Sequence, residues 1–204
     1  LPTISGFGRL ELKQGWQSSQ SLLVTNTFQR ETDGNENLTM DAEIYRYEFS
    51  IAYQWDLWRI NATVPLIFYR HGKLDAAIEE FHELSHLPDG GRPGNPDNRI
   101  NLRYYRNGQT LFFQQFRDSG LGDIAISATR ELFPGKSEAT SISFGVEAPT
   151  GELSIFGSEE AIDYGFWLTH ERLVFPDLSL YGMIGWSFLD IAGVLGQYVN
   201  KQVR

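Results

Sequence analysis

Several features that define common protein classes are missing from this chain. None of its 204 residues is cysteine, which excludes disulfides and thiol chemistry. No run of about 18 apolar residues occurs, which excludes an ordinary transmembrane helix. The 17 basic residues are outnumbered by 26 acidic ones, and the net charge of −9 argues against nucleic-acid partners. What remains is rich in glycine (20) and aromatic residues (14%), which is typical of all-β proteins with many turns.

Residues 44–69 carry the clearest pattern. Apolar side chains occupy every second position over 45–55, and the alternation resumes over 58–68. A period of two predicts β-strands, and the short link Asp56-Leu57 predicts a tight hairpin. Each arm has about 11 residues, which at the tilt of a membrane barrel rises ~25 Å, the height of the apolar band of outer-membrane barrels.

The remaining chain supplies further strands and their links. Residues 1–14 are an ambiguous lead-in, and residues 29–41 are predicted to be a polar link. In chain order the links are long, two residues, very long, short, medium and short. Outer-membrane barrels alternate long extracellular loops with tight periplasmic turns, so this order fits such a barrel and places Trp55 and Trp58 at the periplasmic interface. The other predicted strands are 16–28, 124–130, 140–148, 161–170 and 178–188.

The sequence therefore predicts an antiparallel outer-membrane β-barrel that forms a single domain over residues 1–204. Single-chain bacterial barrels use an even number of strands, so with seven either residues 10–13 contribute a further strand or, as we prefer, the barrel is incomplete in this chain. Leu1 in place of Met fits a bacterial outer-membrane protein whose signal peptide has been removed.

Arg46, Glu48 and Arg59 lie on the polar side of the alternation and are the candidates for lining the lumen. A soluble sandwich or lipocalin-like barrel, with its apolar face inward, is the alternative, and alternation alone does not decide between them. Pro65 weighs against the membrane barrel, because it removes a hydrogen-bond donor from a closed sheet.

Residues 70–120 are predicted to be a long extracellular loop. Helical spacing begins at Asp75, a candidate N-cap, and predicts a helix over about 75–87 that packs on the barrel mouth. The dipeptide Asn107-Gly108 predicts a hairpin over about 100–116. The apolar stripe of the helix is Leu74, Ile78, Phe81 and Leu84.

Within this helix, residues 82–86 match the H-E-x-x-H pattern of zinc proteases, in which two histidines on one helix face bind zinc and the glutamate activates water. The extended pattern would require Gly at 89 and His at 92, where this chain has Asp89 and Arg92. His82, Glu83 and His86 are therefore only a weak metal candidate. We expect no cofactor and no enzymatic activity.

Positive charge concentrates in the same loop. Arginines of this kind could bind lipopolysaccharide phosphates through bidentate contacts, or could instead pair with local carboxylates. The residues concerned are Arg92, Arg99, Arg103, Arg106 and Arg117.

Several segments together resemble the bacterial domain-of-unknown-function family 3187, whose members look like outer-membrane β-barrels. The matching pieces are residues 64–66, 74–82, 87–92, 119–124 and 149–163. The resemblance implies location and fold but no reaction, and its pattern includes His82 but not His86. Family members are longer, which implies further C-terminal strands. The candidate loop and motif residues that the resemblance indicates are Asp75, Phe81, His82, Pro88, Gly91, Arg92 and Asp123.

The leading functional hypothesis is a channel or facilitator for small or apolar solutes. One alternative is a structural or lipopolysaccharide-interacting envelope barrel without a pore, and a second is a surface hydrolase that uses the H-E-x-x-H match. The expected partners are outer-membrane lipid, lipopolysaccharide and a small-molecule solute, without nucleic acid.

Overall fold

The computed structural model describes residues 14–88, 92, 96–115, 118–151 and 162–188. Within them the chain is mostly antiparallel β-structure with one short helix, as predicted in outline. No helix in these ranges is long and apolar enough to cross a membrane. The elements are β1 (Gly15–Asp33), β2 (Glu36–Trp55), β3 (Trp58–Arg70), α1 (Asp75–Ser85), β4 (Asn101–Arg106), β5 (Gln109–Gln114), β6 (Asp118–Leu121), β7 (Ile124–Phe133), β8 (Glu138–Ala148), β9 (Asp163–Phe175) and β10 (Leu178–Phe188).

The contacts divide the chain into two compact units. Unit 1 comprises Leu1–Gln20, Glu48–Pro65 and Leu121–Arg204, and unit 2 comprises Ser21–Tyr47 and Leu66–Gly120. Strands β1, β2 and β3 contribute residues to both units.

In unit 1, neighbouring strands follow the order β10-β9-β8-β7-β3. Their pairing places exposed apolar residues of adjacent strands side by side in rows across the sheet. Residues in one such row alternate with residues of the next, because successive side chains of a strand point to opposite faces. One row, on the exposed side, is Ile60, Ala128, Phe144, Phe166 and Trp186. The row beside it, on the other side, is Arg59, Thr129, Ser143, Trp167 and Gly185.

The two faces of unit 1 differ in burial as well as in chemistry. Short polar side chains on the inward face are buried or half-buried and bond across strands, as Ser50 does with Thr63 and Thr129 does with Ser143, each at 2.8 Å. Gly185 leaves room for the nearly buried indole of Trp167, since a Cβ there would lie 2.4 Å from the ring. The opposite face, which we call the apolar face, is exposed and comprises Phe49, Ile51, Ile60, Ile126, Ile142, Phe144, Phe166, Leu168, Ile184 and Trp186.

In unit 2, β2 pairs with β4 and β4 pairs with β5. The dipeptide Asn107-Gly108 forms the β4–β5 turn with positive φ at both residues, +49° and +82°, as this turn type requires. Helix α1 ends at Ser85, two residues before the predicted boundary. Its apolar stripe is largely exposed, with Phe81 and Leu84 among the most open side chains, so the predicted packing of this stripe is not observed.

The predicted polar link over residues 29–41 is wrong. β1 continues to Asp33 and β2 already begins at Glu36, so the link is the two-residue turn Gly34-Asn35. The polar residues 36–41 form a strand because β4 supplies their hydrogen-bonding partners from Arg106 to Asn101. The predicted order of loop lengths therefore loses its first long loop.

Pro65 lies inside β3 and is fully buried. It lacks a donor, but its carbonyl accepts a hydrogen bond from the Gly122 N–H at 2.9 Å. β3 therefore tolerates Pro65 at this position, where its carbonyl bonds the segment that contains Gly122.

Candidate functional site

The candidate site lies in unit 2, where the chain leaves β3 and enters α1. Gly72 makes the turn between them with φ of +79°, a conformation that glycine adopts without steric cost. A Cβ on Gly72 would lie 3.1 Å from the Cβ of Glu43, so the turn packs closely against β2. The sequence at this turn is Arg70-His71-Gly72-Lys73.

Glu43 holds the segment that follows this turn. Its Oε2 accepts hydrogen bonds from the backbone N–H groups of Lys73 at 2.9 Å and Leu74 at 3.0 Å, and its Oε1 accepts one from the Tyr45 hydroxyl. Burial acts to raise the pKa of Glu43, but these three hydrogen bonds outweigh it and the pKa lies below its ordinary value. Glu43 is therefore held as a carboxylate that fixes the start of α1.

Asp75 was predicted to be the N-cap of this helix, and that prediction is wrong. Leu74 occupies the N-cap position without a side-chain hydrogen bond, and Asp75 is the first helical residue. Its carboxylate bonds other segments instead, while Glu43 bonds the N–H groups of Lys73 and Leu74, which precede the helix.

Asp75 instead joins three separate segments of unit 2. Its Oδ1 accepts hydrogen bonds from Asn26 at 2.7 Å and from Arg92 at 2.9 Å, and its Oδ2 accepts one from the Asn98 N–H at 2.7 Å. Arg92 also bonds Asn26 and lies 5.0 Å from the centre of the Phe28 ring. We call Asn26, Asp75, Arg92 and Asn98 the anchor cluster.

The carboxylate of the anchor cluster is buried, and its ionisation reflects its partners. Burial acts to raise the pKa of Asp75, whereas the hydrogen bonds from Asn98, Asn26 and Arg92 and the charge of Arg92 lower it. The net result is a pKa below the ordinary value. Asp75 and Arg92 thus form a buried ion pair, with side-chain exposures of 6% and 10%.

Two further arginines of the predicted basic group are also paired. Arg99 bonds Asp41 at 2.9 Å, and Arg106 bonds Glu36 at 2.8 Å. Arg103 lies over the Tyr105 ring at 5.6 Å, and Arg117 lies outside the described residues. Three of the five arginines that could bind lipopolysaccharide phosphates, Arg92, Arg99 and Arg106, therefore pair with carboxylates of the chain itself, as the alternative hypothesis predicts.

Beside the Gly72 turn lies an open cavity of about 590 Å³. Four apolar or aromatic side chains form one wall, namely Leu22, Tyr45, Tyr47 and Phe68. Three basic residues, Arg70, His71 and Lys73, line the same cavity, and we call them the basic rim. The volume falls within the range of about 300–1,000 Å³ typical of small-molecule sites.

The H-E-x-x-H residues His82, Glu83 and His86 line a second depression, on α1. His82 lies in the helix, but His86 follows its last residue and adopts a left-handed conformation with φ of +54°. A helical zinc site needs both histidines on one helix face, and here the helix ends before the second. In the part of the chain that the structure describes, no three His, Cys, Asp or Glu side chains are grouped closely enough to hold a metal ion.

Asp123 connects two of the motif segments in unit 1. Its Oδ1 accepts a hydrogen bond from the Gly151 N–H at 2.8 Å, and the Thr150 hydroxyl accepts one from the Ile124 N–H at 2.9 Å. With the bond from Gly122 to Pro65, three segments that carry the family resemblance meet at one point. Asp123 therefore has a structural explanation.

The other predicted site residues are more dispersed. Arg59 is buried in unit 1 and donates to Gln17 at 2.9 Å, and Glu48 lies half-buried on the same polar side of β2 as Ser50. Arg46 is half-buried in unit 2. Their predicted contact with a lumen stays a prediction. Pro88 is exposed, and Gly91 lies outside the described residues.

Sequence reasoning missed Glu43, Asn26 and Asp41. Glu43 and Asp41 lie in or beside the segment interpreted as a polar link, where carboxylates are expected to be solvated. The signal that was available is the dipeptide Asp33-Gly34, since Asp-Gly between alternating segments predicts a hairpin. A hairpin there would have placed Asp41 and Glu43 within a strand.

The fold is thus an antiparallel β-protein with a helix held by buried charges. The chain matches the family described as "protein of unknown function (DUF3187)" over residues 5–202, and it belongs to that family, as the resemblance predicted. No curated protein and no solved structure matches the chain.

Proposed function

We propose that this chain is a bacterial outer-membrane protein whose unit 1 contacts lipid through its apolar face, and which binds and passes a small solute. The observation that carries the proposal is the inverted burial of unit 1. Phe144 on β8 is 51% exposed, whereas its neighbour Ser143 is 8% exposed. A water-soluble sheet would place these residues the other way round, with apolar side chains inward.

The continuity of the apolar face strengthens this argument. The row from Ile60 to Trp186 crosses five strands without a charged residue. Soluble proteins rarely expose apolar patches larger than a few hundred Å², and larger ones mark contact with a partner or a membrane. On the buried side, short hydroxyl side chains bond one another across strands, so that these polar groups have partners.

Aromatic side chains near the β2–β3 turn fit a membrane interface. Trp16 and Tyr53 rings lie 4.9 Å apart, Tyr53 and Trp55 rings 5.9 Å apart, and Arg130 lies over the Trp58 ring. Trp and Tyr concentrate at membrane–water interfaces because their rings are apolar and their edges polar. Strands β8 and β10 each have 11 residues, close to the roughly 9–11 that a membrane-spanning strand needs.

The cavity beside the Gly72 turn supports the solute-binding part of the proposal. It combines an apolar wall with a few convergent polar groups, which is the usual composition of a small-molecule site. The envelope-barrel alternative, based on lipopolysaccharide contact, gains less support because Arg92, Arg99 and Arg106 already pair with carboxylates.

Fractionation and transport assays test the two parts separately. We expect the chain, produced with a signal sequence in a Gram-negative host, to fractionate with the outer membrane and to require detergent for extraction. Proteoliposomes that contain it should take up small amphipathic solutes faster than protein-free liposomes. A folded, monodisperse protein obtained without detergent would contradict the membrane proposal, and uptake no faster than in protein-free liposomes would contradict passage.

A further inference from the structure

We infer that the cavity of unit 2 binds a small amphipathic anion, with its anionic head at the basic rim and its apolar part along the wall. The inference names the class of solute that the proposed function leaves open, and it therefore rests on that proposed function. The juxtaposition that carries it is Arg70 and Lys73 beside Tyr45, Tyr47 and Phe68 around one cavity.

The basic rim differs from the other basic residues of unit 2 in its partners. Arg92, Arg99 and Arg106 each form an ion pair with a carboxylate. Arg70 donates from one nitrogen to two backbone carbonyls, those of Tyr69 at 2.9 Å and Asp118 at 3.3 Å, and no carboxylate among the described residues pairs with it. Among the described residues, the hydrogen-bond partners of its guanidinium are therefore neutral carbonyls and not carboxylates.

Glu43 is the carboxylate nearest to the turn, and it is already committed. Both of its oxygens accept hydrogen bonds, one from Tyr45 and the other from the Lys73 and Leu74 N–H groups. The Lys73 ammonium has no ion-pair partner in the described part of the chain, although its backbone is fixed. An incoming anion would therefore meet two cationic side chains on a backbone whose position is already set.

The apolar lining of the cavity is suited to an apolar group. Phe68 packs under the Arg70 guanidinium, 5.1 Å from the ring centre, so the cation and the aromatic surface adjoin. Leu22 is 62% exposed and adds apolar area on another strand. A ligand with a single charge and an apolar tail would contact both kinds of surface, whereas an inorganic anion would leave the wall uncovered.

The head group could be a carboxylate, as in a fatty acid, or a phosphate monoester, as in a single-chain lipid. Both offer oxygens to a guanidinium fork, and a phosphate carries more charge. Decanoate and decyl phosphate, which share a tail, therefore serve as the two probes, and decanol serves as the neutral control.

Binding is measured by calorimetry on the full chain in phosphatidylcholine nanodiscs, with empty nanodiscs as the blank. We expect decanoate or decyl phosphate to bind above the blank and decanol to bind at least about tenfold more weakly, since losing a hydrogen bond to a charged group costs that much or more. The stronger of the two anions identifies the head group.

Two variants test the rim, and one matched variant controls for net charge. Arg70→Gln and Lys73→Gln should each weaken anion binding by about tenfold, whereas Arg103→Gln, which removes the same charge from unit 2 outside the cavity, should change it less than about twofold. Lys73→Gln keeps the test valid if Arg70→Gln misfolds, because the Lys73 side chain is exposed.

Equal affinity for decanoate, decyl phosphate and decanol, or equal effects of all three variants, would overturn the inference. Incorporation into nanodiscs reports separately on the membrane proposal. If the chain instead stays folded in buffer without lipid, the same titrations in buffer still test the cavity.

Discussion

The buried polar side chains of unit 1 are mostly short hydroxyls, as at Ser141 and Thr169, and they bond one another across paired strands. Among the described residues, those of unit 2 are all charged, at Asp41, Glu43, Asp75 and Arg92, whereas unit 1 also buries the charged residues Arg59, Asp123 and Glu171 beside its hydroxyls. In unit 1 the polar groups satisfy a sheet face while the apolar face is exposed. In unit 2 they fix an irregular segment.

The residues of the two units are therefore held in position in different ways. A regular ladder positions the unit 1 residues, so its side-chain bonds add little to the choice of fold. Between β3 and β4, the described residues belong to no strand, and their position depends on Glu43 and the anchor cluster. Removing single groups should therefore affect the two units unequally.

The largest effect is expected in unit 2, from Arg92→Met. This change leaves Asp75 buried without its cation, and breaking one partner of a buried pair costs about 3–5 kcal/mol. The free energy of unfolding, from urea titration, measures the loss. The control is Arg106→Met, whose pair with Glu36 is more exposed, at 21% and 25%, and which should cost about 1 kcal/mol or less. Equal losses would show that the anchor cluster does not hold the segment.

A smaller effect is expected in unit 1, from Phe144→Arg on the apolar face. If this face contacts lipid, the arginine costs about 2–4 kcal/mol near the bilayer centre. Phe113→Arg in unit 2 is matched, because Phe113 is 52% exposed and Phe144 is 51% exposed. Urea unfolding in lipid vesicles measures both. If the face contacts water, both variants should be tolerated equally, and that outcome would contradict the lipid contact.

The sequence predicted unit 1 better than unit 2, and the reason is physical. Alternation over residues 45–68 encodes the two faces of a strand locally, so it predicted the β2–β3 hairpin at Asp56-Leu57. Family membership was likewise predictable from motif residues. The same alternation did not identify which face is exposed, because either face can be inward in a β-protein.

The anchor cluster could not be predicted in the same way. Asn26, Asp75 and Arg92 are 49 and 17 residues apart, and no local pattern indicates which arginine a given carboxylate will meet. The family motif includes Asp75, but the local rule for helix starts predicts only that its side chain caps α1. Tertiary contacts decide the outcome, since Glu43 from β2 bonds the residues that precede the helix and Asp75 bonds Arg92.

The smallest effect expected is a pH dependence that differs in sign between two carboxylates of unit 2. The pKa of Asp75 is lowered, so its stabilisation is complete above its ordinary value of 3.8 and is lost as the pH falls through the folded pKa. The pKa of Asp41 is raised, chiefly by burial, so its contribution is present below 3.8 and is lost as the pH rises through the folded pKa.

Urea midpoints measured between about pH 6 and pH 3 should fall less in Asp75→Asn than in the unsubstituted chain, and more in Asp41→Asn. Because the charge of Asp75 also acts to raise the pKa of Asp41 and the pKa of Glu43, the sign of each difference, and not its size, reports on these sites. If both variants changed the pH dependence of the urea midpoint in the same direction, the buried pairs of unit 2 would not control its acid stability. Its charged groups would then behave like solvated groups on an ordinary surface.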